Sequence, residues 1–472
     1  MLADEVDSLS SALLDYRFGW RWLLPDLTGN RVVSHGLCED EQQWWAQTQS
    51  LTLVPNQAEN FDGYLIALDL AAPDAIAIQM NSATPRWLCA WGSGASVSRL
   101  RSSLHGFGSI REYALLPAGK PRVVVPLSSP QKVVAGLRLH QPGRWLARVG
   151  LLVARGFARL GYYELLRRRV LLIATRENEA VPQGAVQAGM NASIAGGRAD
   201  YALYLGTPDD NRKTVVLPLG DAPPSVILKV AETLKSRIAL KNEARALTAM
   251  GMTSLADQVP KLIGLKETGV RLTLAQEFRQ RHSIGQTRMS EAVVNFLAGL
   301  AEIDRKQVAL ADLLRVEEGA GRMITKINLS SMTENAALKL RSRLVTLANE
   351  GKQIWLHRCH GDFAPWNCAW TYRGLFVFDW EESRERGLAL GDAFYYVLSP
   401  FVHVKKNLDS GKALAMAVEF AVDVSTRSDF CTGSASHCET EARVYLALWL
   451  LGRLNLSPFY GELMVRLEQS WK

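Results

Sequence analysis

Two short runs carry the densest chemistry in this sequence: His360-Gly361-Asp362-Phe363-Ala364-Pro365-Trp366-Asn367 and Phe378-Asp379-Trp380-Glu381. Asp362 and Asn367 stand five residues apart in a stretch that also holds Gly361 and Pro365, so both side chains belong to a loop. The loop follows the apolar or aromatic residues Ile354 to Leu356, and Asp379 ends a run, Leu375 to Phe378, that reads as a short strand. A carboxylate at a strand tip can point into a cleft. Carboxylate and amide oxygens of this kind suit magnesium, which keeps several waters and takes one or two carboxylates. Phosphoryl transfer asks a protein for such a set: oxygen ligands for metal ions, a carboxylate near the acceptor hydroxyl, and cations on the nucleotide phosphates.

The two runs resemble the catalytic and metal-binding loops of the aminoglycoside phosphotransferase and choline kinase superfamily, relatives of the protein kinases. The resemblance covers roughly Asn191 to the C-terminus and implies a protein-kinase-like fold there. It implies Asp362 as the catalytic base, Asn367 and Asp379 as ligands of Mg2+, His360 as a brace for the loop, and ATP or GTP as the phosphate donor. A kinase-like site also needs a lysine on a strand to hold the phosphates and a helix glutamate to hold the lysine. Lys229, in Val226-Ile227-Leu228-Lys229-Val230, and Glu243, on the next predicted helix, meet that need in order. Each alone reads more simply as a solvated charge. Gly196 and Gly197 lie where a flexible loop could cover phosphates, with a plain hairpin turn an equal reading. Gln276, Glu277 and Phe278, between the two expected lobes, are where backbone bonds to adenine belong. Asp392 matches an Asp that opens a helix in relatives and reads as an N-cap. Glu381, Glu382 and Glu385, mixed with Arg384 and Arg386, read as a solvated acidic turn.

Three zones position these residues. The first, to about Glu179, mixes strand-like runs (Tyr64 to Leu70, Ala75 to Met80, Trp87 to Trp91, Arg122 to Pro126) with polar connections, then a helix from Trp145 to Arg169 and a strand at Val170 to Ala174. The polar, proline-containing stretch Glu177 to Gly189 reads as a linker. The second zone has strands at Tyr201 to Leu205, Thr214 to Leu217, Val226 to Val230 and Arg271 to Phe278, with a helix at Lys235 to Met250. The third is mainly helical, with amphipathic segments at Glu291 to Ile303, Ala336 to Ala348, Ala413 to Val424 and Glu441 to Leu454. The expected organisation is an α/β N-terminal domain (1–180) followed by an α+β bilobal, protein-kinase-like half. That half has a β-rich small lobe (187–280) and a helical large lobe with the catalytic loop (281–472).

The N-terminal zone is less informative. Residues 104 to 117 resemble the last helix and strand of a class I methyltransferase, which implies a degenerate fold of that type. The glycine-rich strand-to-helix turn that S-adenosylmethionine needs is missing near the start, and Gly92-Ser93-Gly94 comes too late and lacks the next spaced glycine. Charge is uneven: Arg101 to Arg176 holds fourteen Lys or Arg and two acids, Glu112 and Glu164. The helix within it interleaves arginines with Leu146, Val149, Leu152, Val153 and Phe157, a pattern that can lie on an anionic membrane. A packing helix with a solvated arginine face is the stronger reading. No nucleic-acid module accompanies the charge, so no nucleic-acid partner is expected.

An apolar content of 48% with 21% charged residues excludes wholesale disorder. No apolar run reaches the ~20 residues of a membrane span, and the acidic N-terminus lacks the order of a secretory signal. A cytoplasmic protein is expected, free or held at a membrane periphery by residues 145–169. The six cysteines show no framework and read as free thiols. The motifs fix a reaction type and leave the acceptor open. A sugar or glycan-precursor hydroxyl, as in surface-polysaccharide biosynthesis, is preferred by resemblance. The alternatives are an aminoglycoside-modifying kinase and a catalytically silent kinase-like scaffold, with a methyl-transfer activity in the first half as a third class.

Overall fold

The structure is a computed structural model. It describes residues 17–471 apart from 25–28, 56–57, 59, 70–84, 119–120, 140–144, 177–199, 207–210, 221, 269–270, 281–282, 285–289, 316–329, 405–408, 432 and 454–455. The expected strand at Ala75 to Met80, the linker at Glu177 to Gly189 and the glycine pair Gly196–Gly197 lie outside the described residues. Two compact units divide the chain: Met1–Leu240 with Ile263–Phe278, and Lys241–Leu262 with Arg279–Lys472.

The first unit is built on one twelve-stranded sheet. Its first part is parallel. Strand β1 (Arg31–His35) has β2 (Thr52–Val54) on one side and β3 (Gly63–Ala67) on the other, and β3 in turn pairs with β4 (Trp87–Ser93). Helix α1 (Glu39–Gln49) makes the crossover from β1 to β2, as a parallel pair requires. Strands β3 and β4 are buried along nearly their whole length, which is why they read as unbroken apolar runs. Helix α2 (Gly94–Ser102) follows β4, and then come β5 (Ser109–Leu116), β6 (Val123–Pro126), helices α3 (Pro130–Leu137) and α4 (Trp145–Arg159), and β7 (Arg169–Thr175). The last strand inserts antiparallel between β4 and β5.

The sheet does not stop at the first zone. β8 (Asp200–Tyr204) pairs antiparallel with β6, Val123 opposite Tyr204 and Val124 opposite Leu203. β9 (Lys213–Leu219) and β10 (Val226–Ala231) continue it, helix α5 (Leu234–Met250) follows, and β11 (Leu262–Thr268) and β12 (Arg271–Glu277) close the far edge. One apolar cluster runs under both parts: Phe18, Trp20, Trp45 and Trp91 share it with Leu203, Val216, Leu228 and Val230. Arg21 reinforces the join by an ion pair with Glu232.

Helix α4 departs from expectation in two ways. It ends at Arg159 rather than Arg169, because Gly161 takes a left-handed φ of +88° and a short 3₁₀ turn, Tyr163–Leu166, leads into β7. Its facing is also reversed. Ala158 is buried and Arg155 turns inward to donate to the Leu137 carbonyl at 2.8 Å, while Val149, Leu152, Val153 and Phe157 face outward.

The second unit gathers α6 (Glu291–Ala301), α7 (Ser331–Asn349), α8 (Gly391–His403), α9 (Ser410–Arg427), α10 (Ala435–Leu451) and α11 (Pro458–Ser470) around one core that includes Phe296, Phe363, Trp380, Phe394 and Phe420. Side chains of Ser330, Asp409 and Ser434 cap α7, α9 and α10 by accepting from the backbone N–H three residues on. Two three-stranded sheets complete it. One joins β13 (Ser283–Ile284), β16 (Cys368–Thr371) and β17 (Gly374–Val377); the other joins β14 (Lys306–Ala309), β15 (Gln353–Cys359) and β18 (Arg384–Leu388). No described helix is long and apolar enough to cross a membrane.

Candidate active site

Strand β15 delivers the chain to buried His360 and then to Gly361, whose φ is +86°. A Cβ at Gly361 would stand 2.1 Å from the Glu382 carbonyl oxygen, so no other residue fits the close approach of these two backbones. The loop then turns through Pro365–Asn367 and re-enters a strand, β16. Cys368 pairs with Val377 across the β16–β17 hairpin, and the Phe378 N–H donates to the Asn367 carbonyl at 3.1 Å. That register fixes the geometry: whatever follows Phe378 must emerge beside Asn367. Asp379 follows.

Asn367 Nδ2 donates to both the Asp362 carbonyl and the Asp362 Oδ2, each at 2.9 Å. With its nitrogen so used, the amide presents Oδ1 as the atom for a cation. Asp379 adopts a left-handed backbone (φ 73°, ψ 58°), a conformation that costs a non-glycine residue of order 1 kcal/mol and collects at functional sites. Carboxylate oxygens of Asp379, Glu243 and Glu381 lie within 4.8 Å of one another. Three hard anionic oxygens so close, with the Asn367 amide on the same hairpin, fit a magnesium-type donor set. Asn242 fixes the helix side of this cluster, its Nδ2 donating to the carbonyls of Glu381 (2.7 Å) and Ser383 (2.9 Å).

The remaining supports hold the loop itself. His360 Nε2 donates to the Phe378 carbonyl at 3.0 Å, while its Nδ1 accepts from the Asp362 N–H at 3.3 Å. Phe363 is buried and stacks on Phe296 with centroids 5.6 Å apart. Asp392 is not the N-cap expected from sequence. Leu390 holds that position with φ 63°, and Asp392 lies one residue into α8. Its carboxylate instead accepts from the loop N–H groups of His360 (2.6 Å) and Gly361 (3.0 Å). Burial pushes the Asp392 carboxyl up to about 6 against the opposing pull of those two N–H groups and of Arg453.

Asp362 is raised above the usual carboxylate range, first by burial and then by the charges of Asp379 and Glu382; hydrogen bonds from Tyr395 and Asn367 oppose the rise. Tyr395 was not among the residues singled out in the sequence. It stands three positions after Asp392 on α8, so helical spacing puts both on one face, and that was the available signal.

In the first unit, Lys229 sits in β10 between β9 and β12, opposite Val215 and Leu274, and is buried. Leu228 and Val230 point to the tryptophan cluster, so alternation sends Lys229 to the other face of the sheet. Gln276 and Glu277 end β12, opposite Ile227 and Val226, and the Phe278 N–H donates to the Ser225 carbonyl at 2.7 Å. The Gln276 Oε1 is buried with no hydrogen-bond partner. Gly92-Ser93-Gly94 does form a strand-to-helix turn, but a Cβ on Gly94 would meet the Arg167 carbonyl oxygen at 2.0 Å. This glycine makes room for backbone, not for a ligand.

Residues 208–385 match the family model described as the phosphotransferase enzyme family. No curated protein matches the chain. Among solved structures, a thermostable mutant of the aminoglycoside phosphotransferase APH(4)-Ia is 12% identical, covers 58% of this chain and 96% of its own, and superposes with a TM-score of 0.40. ADP-bound APH(2'')-Ib is 15% identical over 58% of this chain and 97% of its own, with a TM-score of 0.36. APH(3'')-Id from Streptomyces rimosus is 14% identical over 54% and 93%, with a TM-score of 0.32. Lys229, Glu243, the His360–Asn367 loop and Asp379 all fall inside the segment, 208 to 385, that is similar to the phosphotransferase enzyme family.

Proposed function

We propose that the protein transfers the γ-phosphate of ATP or GTP to the hydroxyl of a small molecule, a sugar or glycan precursor by preference. The observation that carries the reading is the loop 360–367, where Asn367 clamps the Asp362 carboxylate beside the tip at Asp379. Asp362 is the base that would accept the proton of the acceptor hydroxyl. Asn367 and Asp379 are the residues that would hold Mg2+, with Glu243 and Glu381 at the same cluster. The ion, when bound, offsets phosphate charge. Lys229 belongs to the phosphates, and Gln276 to Phe278 to the base of the nucleotide, where the Gln276 Oε1 offers an acceptor for an amino group. We place the protein in the cytoplasm, free or held at a membrane periphery.

Magnesium-dependent turnover of ATP and GTP, screened against sugars, amino sugars and aminoglycosides, tests the reading. Asp362→Ala is expected to abolish turnover, with the melting temperature within a few degrees of wild type. Turnover that survives the substitution overturns Asp362 as the base. Absence of any thermal shift at millimolar nucleotide and magnesium favours a scaffold, because a ligand that binds the native state must raise apparent stability.

A further inference from the structure

We infer that the outward face of α4, with the turn that follows it, docks the first unit onto an anionic membrane surface. The inference rests on how the helix is turned, and it is independent of the phosphotransferase reading. Leu152, Val153, Phe157, Leu160, Tyr162 and Leu165 all face outward, with Leu152 62%, Leu160 72%, Tyr162 62% and Leu165 67% exposed. Positions 149, 152, 153, 157 and 160 fall at helical spacing on one stripe. No other stretch of that length among the described residues shows as many large apolar side chains. A helix packed for water alone carries one apolar stripe; here the inward side already holds Ala158, with Leu151 and Ala154 against the core and Arg155 turned in to the Leu137 carbonyl, and the outward stripe is a second one. Outward apolar residues in such number mark a surface that something covers.

Charge identifies the cover. Fourteen bases and two acids lie between Arg101 and Arg176. Both acids are taken: Glu112 pairs with Arg101 and Arg167, and Glu164 with Arg167. The arginines crowd: after burial, the charge of Arg159 lowers the proton affinity of Arg138, and the charges of Arg138 and Arg159 lower that of Arg155. Arg159, at the end of the helix, and Arg168, just past the turn that follows it, are both exposed. A second copy meeting this face about a two-fold axis would set these arginines against their own images. A bilayer rich in anionic lipid supplies what the patch lacks: negative charge at the rim, and an apolar layer that needs no shape complementarity.

The test is co-sedimentation of the full chain with vesicles of phosphatidylcholine alone and of phosphatidylcholine with phosphatidylglycerol. Binding to the anionic vesicles is expected, weakened by salt and reduced about tenfold both in a Leu152→Ser, Phe157→Ser, Leu160→Ser variant and in Arg159→Ala, Arg168→Ala. Circular dichroism must show both variants folded. In hydrogen exchange, amides 152–166 are expected to gain protection only when anionic vesicles are present. Four results overturn the inference: no sedimentation, equal binding to neutral vesicles, protection of 152–166 already complete without lipid, or a lipid-free dimer that the apolar variant dissociates. Nucleotide turnover is read separately, so either proposal can fail while the other stands.

Discussion

Asp362 is held by neighbours of opposite effect. Burial and the carboxylates of Asp379 and Glu382 favour its protonated form, while Tyr395 and Asn367 donate to the ionised one. As the proposed base, Asp362 works only when ionised, so removing a donor shifts its working range upward in pH. Tyr395→Phe is expected to lower kcat by about tenfold, with KM little changed, and to move the acid limb of the rate profile to higher pH; a charge-assisted hydrogen bond contributes about 1.5–3 kcal/mol. An unmoved limb would show that the tyrosine only packs. His357, in β15 three residues before His360, is a separate case. Burial holds its imidazole down to about 4, helped by the charge of Arg305 and opposed by its bond to the Arg358 carbonyl. The folded value lies below the unfolded one, so the stability present above pH ~6.5 is lost as pH falls toward 4, roughly 3 kcal/mol in all. Melting temperatures of His357→Gln, compared with wild type from pH 7 to 4.5, are expected to show less of this acid sensitivity. The loop residues proposed for the chemistry stood out in sequence because their types and their five-residue spacing are local. Tyr395 did not, and Asp392 stood out only as a cap, since their bonds to the loop bridge some thirty residues that no spacing rule connects.

At the scale of elements, the β16–β17 hairpin and α5 do the positioning. The hairpin was half legible: Leu375 to Phe378 read as a strand, but its partner Cys368–Thr371 is too short and mixed to stand out. Helix α5 appeared at its expected place, yet nothing in its pattern announced that Asn242 would reach the carbonyls of Glu381 and Ser383. Asn242→Ala leaves two partly buried carbonyls without their donor and should cost about 1 kcal/mol in a urea melt. It should also weaken magnesium-dependent nucleotide binding, measured by the thermal shift, more than a surface Asn→Ala change such as Asn349→Ala. Gly361→Ala cannot be accommodated without moving the Glu382 carbonyl, and loss of turnover with a lowered melting temperature is expected. The overlong helix read at Trp145 to Arg169 failed for a nameable reason. Apolar and basic residues keep helical spacing past Arg159, but Gly161 spends its freedom on a left-handed turn.

At the scale of the molecule, composition suggested a border near residue 180, and the sheet runs past it. A polar stretch is visible in sequence; pairing between β6 and β8 is a non-local contact and leaves no local mark. The strand that carries Lys229 rests, through Leu228 and Val230, on tryptophans from the first hundred residues. A fragment beginning near residue 187 would bare the edge of β8 and one side of this core. It is expected to aggregate or to lack a cooperative melt in circular dichroism, whereas the full chain melts with its first unit as one transition. A soluble, sharply melting fragment would show that the small lobe stands alone.

The same pairing sets an order on synthesis. A ribosome that has delivered β1 to β7 has made a sheet whose β6 edge, Val123–Pro126, has no neighbour until Asp200 emerges, on the order of 1–5 s later at ordinary elongation rates. During that interval the nascent chain offers an open row of backbone groups. The exposed row is only four residues long and ends in a proline, which has no N–H to offer a stray strand. A feature that looks like a mere seam in the finished protein is, for the growing one, a guarded vacancy.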